Sequence, residues 1–244
     1  MKLNIVMAAY NNRELTEGTW KSVNENTNMP FRFIIVNGGS TDDTKQWLDD
    51  SKIDYINMET NGGCGINRNV GMRSIDDDCE YVILIDNDIK ATPNWCSYLI
   101  DFMENHKEFG VAGPSTNFAG NPQKIEDMPE LKTEEEIYNF AVKRREEYKG
   151  QLRVVPHHWP VIGFCMIIRR AVIDKIGIFD EKYKLYGCED NDYCNRVEDA
   201  GWQLAYIKDI YVHHWGSNTL RELGADGSKQ WNENRKLFID QWES

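Results

Sequence analysis

The chain has 244 residues, 41% of them hydrophobic and 28% charged, enough for one sizeable core and short for two. Its formal charge of −12 repels phosphate backbones, which argues against nucleic acid as a partner and against broad docking on anionic lipid. Six cysteines, Cys64, Cys79, Cys96, Cys165, Cys188 and Cys194, show no zinc-like spacing and suit a reducing compartment. In chain order, "LNIVMAA" at 3–9 is a continuous apolar run, as a buried parallel strand should be. "FRFIIVN" at 31–37 and "YVILID" at 81–86 are two more, and "FGVAGP" at 109–114 predicts a fourth strand. Helices are expected over 14–25, 42–50 and 65–74, with Ser40-Thr41-Asp42-Asp43 as the start of the second, a side-chain oxygen cap followed by acids in the first turn. Strand and helix in alternation predict right-handed crossovers and a mostly parallel sheet.

The second half is less regular. "KTEEEIYNFAVKRREEYKG" at 132–150 predicts an exposed helix or a lid, and its basic stretch at 142–149 reads as a solvated helix face. "GFCMIIRR" at 163–170 predicts a strand, and "EDNDYCNRVEDAG" at 189–201 a helix ended by Gly201. "WQLAYI" and "YVHHW" predict two further strands, and 229–242 a docked C-terminal helix. Nothing marks a linker or a repeat, so 1–244 reads as one domain. Within it, about 1–114 and about 115–244 read as two functional halves. The N-terminus lacks a signal-peptide pattern, and no apolar stretch approaches the roughly 20 residues of a membrane helix. The expectation is a cytoplasmic protein without a transmembrane segment, with peripheral membrane contact left open.

The strongest chemical signal is Asp86-Asn87-Asp88, where an apolar strand ends abruptly in acid. Open α/β sheets bind ligands at the carboxyl ends of their strands. Two carboxylates one residue apart there can hold Mg²⁺ or Mn²⁺ and so neutralise a diphosphate; a turn capped by Asp and Asn is the plain alternative. "IIVNGGSTDDT" and "NGGCGINRNVGM" are two more polar, glycine-rich loops. In the latter, Gly62, Gly63 and Gly65 permit close backbone approach, and Arg68 can reach a phosphate. Three such loops suggest one nucleotide cleft. None fits a Walker or dinucleotide-binding pattern.

In order along the chain, "IVMAAYNNRELT", "IIVNGGSTDDT", "NGGCGINRNVGM", "ILIDNDI", "GFCMIIRRAVIDKIGIFDE", "GCEDNDYCNRVEDAGW" and "VHHWGSNT" resemble the successive segments of the glycosyltransferase family 2 enzymes. The resemblance covers nearly the whole chain. It implies a GT-A fold, that is, an α/β domain with a Rossmann-like, mostly parallel sheet flanked by helices. It implies an inverting transferase that moves a sugar from a nucleoside-diphosphate sugar to an acceptor hydroxyl. Asp88 is then the metal ligand for Mn²⁺ or Mg²⁺, with Asp86 on the ribose or the metal's water shell and Asn87 beside them. Asp190 matches the base position, and Glu189 could orient the acceptor. His214, or else His213, would complete the metal site, with Gly216 and Thr219 spaced to favour His214. Ala8, Tyr10 and Asn37 are expected at the base and Arg68 near the phosphates, with Gly62 in the same loop.

One departure concerns the nucleotide turn, where Asn37-Gly38 stands in place of the family's aspartate. UDP-sugar is the first expectation, dTDP-sugar the second, and GDP-sugar follows. The acceptor could be a carbohydrate, a lipid-linked glycan or a protein. Trp95, Trp159 and Trp215 are the candidates for stacking on a sugar, while Trp20, Trp47 and Trp242 read as packing residues. Two rivals are a sugar-nucleotide nucleotidyltransferase, which should carry a glycine- and arginine-rich loop near the N-terminus, and a non-catalytic binding module.

Overall fold

A computed structural model describes residues 2–216 and 218–243, with the side chains of 217–227 outside that description. Its centre is β1 (Leu3–Ala9), whose residues point alternately to two cores. Ile5 and Met7 enter one, and Val6 enters the other. Parallel neighbours flank it: β2 (Arg32–Asn37) on one side and β4 (Tyr81–Asp86) on the other. The short β3 (Tyr55–Asn57) continues the sheet beyond β2, again parallel. Strands buried on both faces explain the unbroken apolar runs of the sequence.

Beyond β4 the pattern changes. The next neighbour of β4 is not β6 (Phe109–Ser115), the fourth strand expected from the sequence, but the antiparallel β8 (Cys165–Arg169). β6 lies on the far side of β8 and pairs in parallel with β9 (Gln203–Tyr211), and β7 (Leu152–Val154) closes the edge. The order is β3-β2-β1-β4-β8-β6-β9-β7. A separate antiparallel pair joins β5 (Ile89–Lys90) to β10 (His213–His214). The two strands expected at 202–207 and 211–215 are therefore one long strand followed by a short one.

Helices cover both faces. α1 (Arg13–Asn26), α2 (Thr44–Asp50) and α4 (Trp95–Asn105) bury Val23, Leu48, Trp95 and Leu99 on one. α3 (Cys64–Met72), α6 (Arg170–Ile176) and α7 (Glu189–Asp199) bury Met72, Val172 and Val197 on the other. Each such aliphatic side chain contributes roughly 1.5–3 kcal/mol. Within the expected start segment 40–43 the side-chain oxygen comes from Asp42, whose carboxylate accepts from Thr44 N–H at 3.0 Å, and α2 begins at Thr44 rather than at 42. Asn11 claims the earlier turn instead, since its Oδ1 accepts from Thr41 N–H at 2.8 Å and its own N–H donates to the Ser40 hydroxyl at 2.9 Å.

The charged stretch becomes α5 (Glu134–Glu147), opened by a capping box between Thr133 and Glu136. Ile137 and Ala141 pack it against Tyr211, and Arg145 pairs with Asp209. α8 (Asn218–Trp242) extends further than the expected 229–242. All six cysteines are free, and among the described residues no helix is long and apolar enough to cross a membrane.

Candidate active site

Register places the first elements of the site. Ala8 lies beside Asp86, and Ala9 beside Asn37, at the carboxyl ends of three parallel strands. The start of β8 abuts the same edge, where Asp86 N–H donates to the Phe164 carbonyl at 3.0 Å. The β5–β10 pair sets His214 opposite Ile89, next to Asp88. Asp86, Asp88 and His214 thereby converge, their candidate ligand atoms all within 4.8 Å of one another. His214 Nε2 is 3.2 Å from Asp88 Oδ1.

The His214 ring is fixed on every side. Phe164 stacks on it at 5.0 Å and 11°, and Phe118 meets it edge-on at 5.6 Å. Its Nδ1 lies 2.9 Å from the Phe118 carbonyl. A carbonyl only accepts, so Nδ1 carries the proton and Nε2 is the nitrogen turned to Asp88. Asn117 clamps the backbone from both sides, accepting from His214 N–H at 2.8 Å and donating to its carbonyl at 2.9 Å. Burial disfavours the imidazolium, but Asp88, with Asp86 behind it, outweighs this and raises the His214 pKa. His213 is a correction to the alternative ligand choice. Its ring turns away to the Tyr211 hydroxyl at 2.7 Å and lies outside the cluster, with its pKa lowered by burial and by His214 to about 4. Gly216 packs under Phe118, and the Thr219 side chain lies outside the described residues.

Arg68 organises the other half. Buried on α3, its guanidinium reaches Asp86 at 2.7 Å, Asp190 at 3.1 Å and Glu189 at 3.4 Å. The expectation that it serves the phosphates is corrected to this extent: its charge is engaged by three carboxylates, and its Nε is buried without a partner. Gly163 allows the arrangement. A Cβ there would sit 2.6 Å from Arg68 Cζ, and the Gly163 N–H donates to Asp190 Oδ2 at 2.9 Å. Glu189 and Asp190 open α7, where unpaired backbone N–H groups favour acidic side chains. Burial raises both pKa values, with Asp190 adding to the effect on Glu189 and Arg68 opposing it on both.

A cavity of about 730 Å³ joins these groups. Of the expected site residues, Ala8, Tyr10, Arg68, Asp86, Asn87, Asp88, Glu189, Asp190 and His214 line it. Asn37 and Gly62 do not. Asn37 is buried, donating to Asn57 at 2.8 Å and accepting from Ser40 N–H at 3.2 Å. Gly62 serves loop packing, since a Cβ there would meet Ile66 at 2.5 Å. Asn67 takes the space instead. Its amide lies where a Gly38 Cβ would stand, 2.2 Å from that point, and it lines the cavity. The absent side chain at 38 therefore accommodates Asn67. Asn87 turns inward, donating to Asn11 O and the Thr16 hydroxyl.

Trp95 is also corrected: it is fully buried and bonded to Thr27, so no sugar can stack on it. Trp159 lines the cavity, whereas Trp215 packs edge-on against His213. Sequence reasoning missed Asn117, Gly163 and the α8 residues Trp231, Arg235 and Phe238. Each depends on contacts distant in sequence; only the 231–238 spacing, one helix face, offered a signal.

Comparison with known proteins identifies the arrangement. The profile of glycosyl transferase family 2 matches residues 4–177. The hyaluronan synthase of Pasteurella multocida is 24% identical over 87% of this chain, and the match spans only 24% of that protein. The N-acetylglucosaminyl-diphospho-decaprenol L-rhamnosyltransferase of Mycobacterium tuberculosis is 25% identical over 90% of this chain and 78% of its own. The S. aureus TarS structure in complex with UDP-GlcNAc superposes with a TM-score of 0.64 at 16% identity, covering 98% of this chain and 67% of that one. The fold is that of the GT-A enzymes, and the chain belongs to glycosyl transferase family 2, although it spans only 24% of the hyaluronan synthase and 21% of a Staphylococcus epidermidis teichoic acid polymerase that it also matches.

Proposed function

We propose that this protein is a metal-dependent, inverting glycosyltransferase, moving a sugar from a nucleoside-diphosphate sugar to an acceptor hydroxyl. The observation that carries the reading is the convergence of Asp86, Asp88 and His214 within 4.8 Å in a cavity that Asp190 also lines. Two carboxylates and one imidazole fit a hard divalent ion, and the nitrogen donor suits Mn²⁺ at least as well as Mg²⁺. Such an ion, when bound, supplies charge neutralisation for the departing diphosphate.

The chain's own residues do the rest. Asp88 and His214 Nε2 would hold the ion, with Asp86 beside them. Ala8 and Tyr10 border the nucleotide. Asp190 accepts the proton of the acceptor hydroxyl as its oxygen bonds to the anomeric carbon and the bond from that carbon to the diphosphate breaks. Burial raises the basicity of Asp190, while Arg68 and the Gly163 N–H hold it in place. Attack from the face opposite the leaving group inverts the anomeric centre.

UDP-sugar is the preferred donor and dTDP-sugar the second, and the UDP-GlcNAc bound to TarS supports the former. For the acceptor, the rhamnosyltransferase relative is named for a sugar carried on a diphospho-lipid, which supports a lipid-linked glycan or another carbohydrate. Within this reading 1–114 is the donor half and 115–244 the acceptor half, although Asp190 and His214 lie in the second and complete the donor site. The test is turnover of a sugar-nucleotide panel with Mn²⁺, with NMR of the product. Release of UDP and an inverted product are expected. Retained configuration, or full activity after EDTA treatment, would overturn the reading.

A further inference from the structure

One wall of the cavity comes from α8 through Trp231, Arg235 and Phe238, spaced so that they share one helical face. The wall is held in place. Buried Asn234 donates to the carbonyls of Lys184 at 2.8 Å and Tyr186 at 2.9 Å, tying α8 to the loop that runs into Glu189 and Asp190. Gly187, at φ +95°, makes room for Trp231: a Cβ there would lie 2.7 Å from the indole Cδ1.

The two guanidiniums of the cavity differ. Arg68 is tied to three carboxylates. Arg235 is exposed and makes no hydrogen bond or ion pair among the described residues. Its recorded contact is the Trp231 ring, 5.6 Å away. A guanidinium over an aromatic face keeps its N–H edge available. Arg235 and Asp190 line the same cavity. Glu243 also lines the cavity, and among the described residues it makes no ion pair with Arg235.

Charge gives this residue a role. The chain carries −12 overall, and Asp86, Asp88, Glu189 and Asp190 already line the cavity. An anionic acceptor would be repelled unless one unclaimed cation met it. We propose that Arg235 is the anchor of an acceptor subsite that takes a phosphate or carboxylate group carried on the acceptor. The inference rests on the donor-and-acceptor reading above and names its acceptor class. It involves binding alone.

The experiment measures binding of glucose 1-phosphate, glucuronic acid, methyl glucoside and inorganic phosphate to wild type, Arg235→Ala and Arg235→Lys, with and without UDP and Mn²⁺. Both charged sugars should bind wild type about tenfold or more tighter than methyl glucoside, as a charge-assisted fork contact implies. Arg235→Ala should abolish the difference and Arg235→Lys restore part of it, with melting unchanged. The tighter of the two charged sugars identifies phosphate or carboxylate as the group recognised. Equal binding of charged and neutral sugars, an unaltered preference in Arg235→Ala, or inorganic phosphate binding as tightly as the sugar phosphate would each overturn the subsite. Failure of wild type to bind UDP with Mn²⁺ would instead overturn the donor-site reading, so the two failures are distinguishable.

Discussion

The strand-end side of the cavity and the α8 side satisfy their polar groups differently. On the first, Asp86 and Asp190 are bonded to Arg68, Gly163 supports Asp190 from its backbone, and Asn117 with Phe118 holds His214. On the second, Trp231 and Arg235 are exposed, while Asn234 is tied to two backbone carbonyls. Groups that must meet developing charge are held before substrate arrives, which avoids reorganisation during the reaction. On the proposed reading, groups that recognise the acceptor are left free on a fixed support. The comparison teaches that substitutions on the first side should alter the chemical step or the fold. Those on the second should alter acceptor affinity.

The largest effect is expected at Asp190. Asp190→Asn keeps shape but removes basicity, so kcat should fall about 10²–10⁴-fold while nucleotide affinity, measured by calorimetry, stays constant. Near-normal turnover would move the base elsewhere, with Glu189 the next candidate. The same residue sets a pH dependence. Burial raises its pKa above the ordinary aspartate value of 3.8, against the pull of Arg68. The base must be ionised, so kcat/KM should fall with decreasing pH along a limb lying above 3.8. The stability sign runs the other way: a carboxyl group whose pKa is raised on folding stabilises the fold while protonated, and that contribution is lost as pH rises through the raised value. Ionised Asp190 thus costs stability at neutral pH. A pH–rate profile with its acid limb at or below 3.8 would contradict this.

Gly163→Ala should come next. Its new methyl would meet Arg68 Cζ at 2.6 Å, so we expect a stability loss of about 1–3 kcal/mol from overpacking and a fall in kcat as Arg68 and Asp190 shift. Unchanged melting and turnover would show that the guanidinium is not confined. Asn234→Ala probes the opposite side. It leaves two carbonyls without their donor and should cost about 1–3 kcal/mol, raising acceptor KM with little change in UDP affinity. A change in UDP affinity alone would erase the distinction between the two sides. Thr133→Ala should do least, losing about 1 kcal/mol of helix capping with turnover unaffected, because α5 is tied to β9 rather than to the cavity.

The same contrast explains what the sequence revealed. β1, β2 and β4 are buried on both faces, so their apolar runs announced them and their carboxyl ends pointed to Asp86 and Asp88. Acids at the start of α7 pointed to Glu189 and Asp190. The insertion of β8 between β4 and β6 was not readable, because antiparallel pairing depends on partners some 80 residues apart in register, as in Ile85 with Cys165. Nor was the diversion of Arg68 to three carboxylates, which needs α3, β4 and α7 assembled. Asn37 is expected at the base, yet parallel pairing sets it against Asn57, which takes its amide. Trp95 shows the limit of composition: an indole near a candidate sugar site is as readily a core residue, and here Thr27 takes its N–H.

The central claim, a divalent ion joining Asp86, Asp88 and His214 to a nucleoside diphosphate, is tested most directly by calorimetric titration of UDP into wild type and Asp88→Ala, each with and without Mn²⁺. The account predicts that Mn²⁺ strengthens UDP binding to wild type at least about tenfold, as one coordinated diphosphate contact requires. It predicts that Asp88→Ala loses this gain while its metal-free UDP affinity is unchanged. UDP binding that is indifferent to Mn²⁺ in wild type, or a gain that survives in Asp88→Ala, would contradict it.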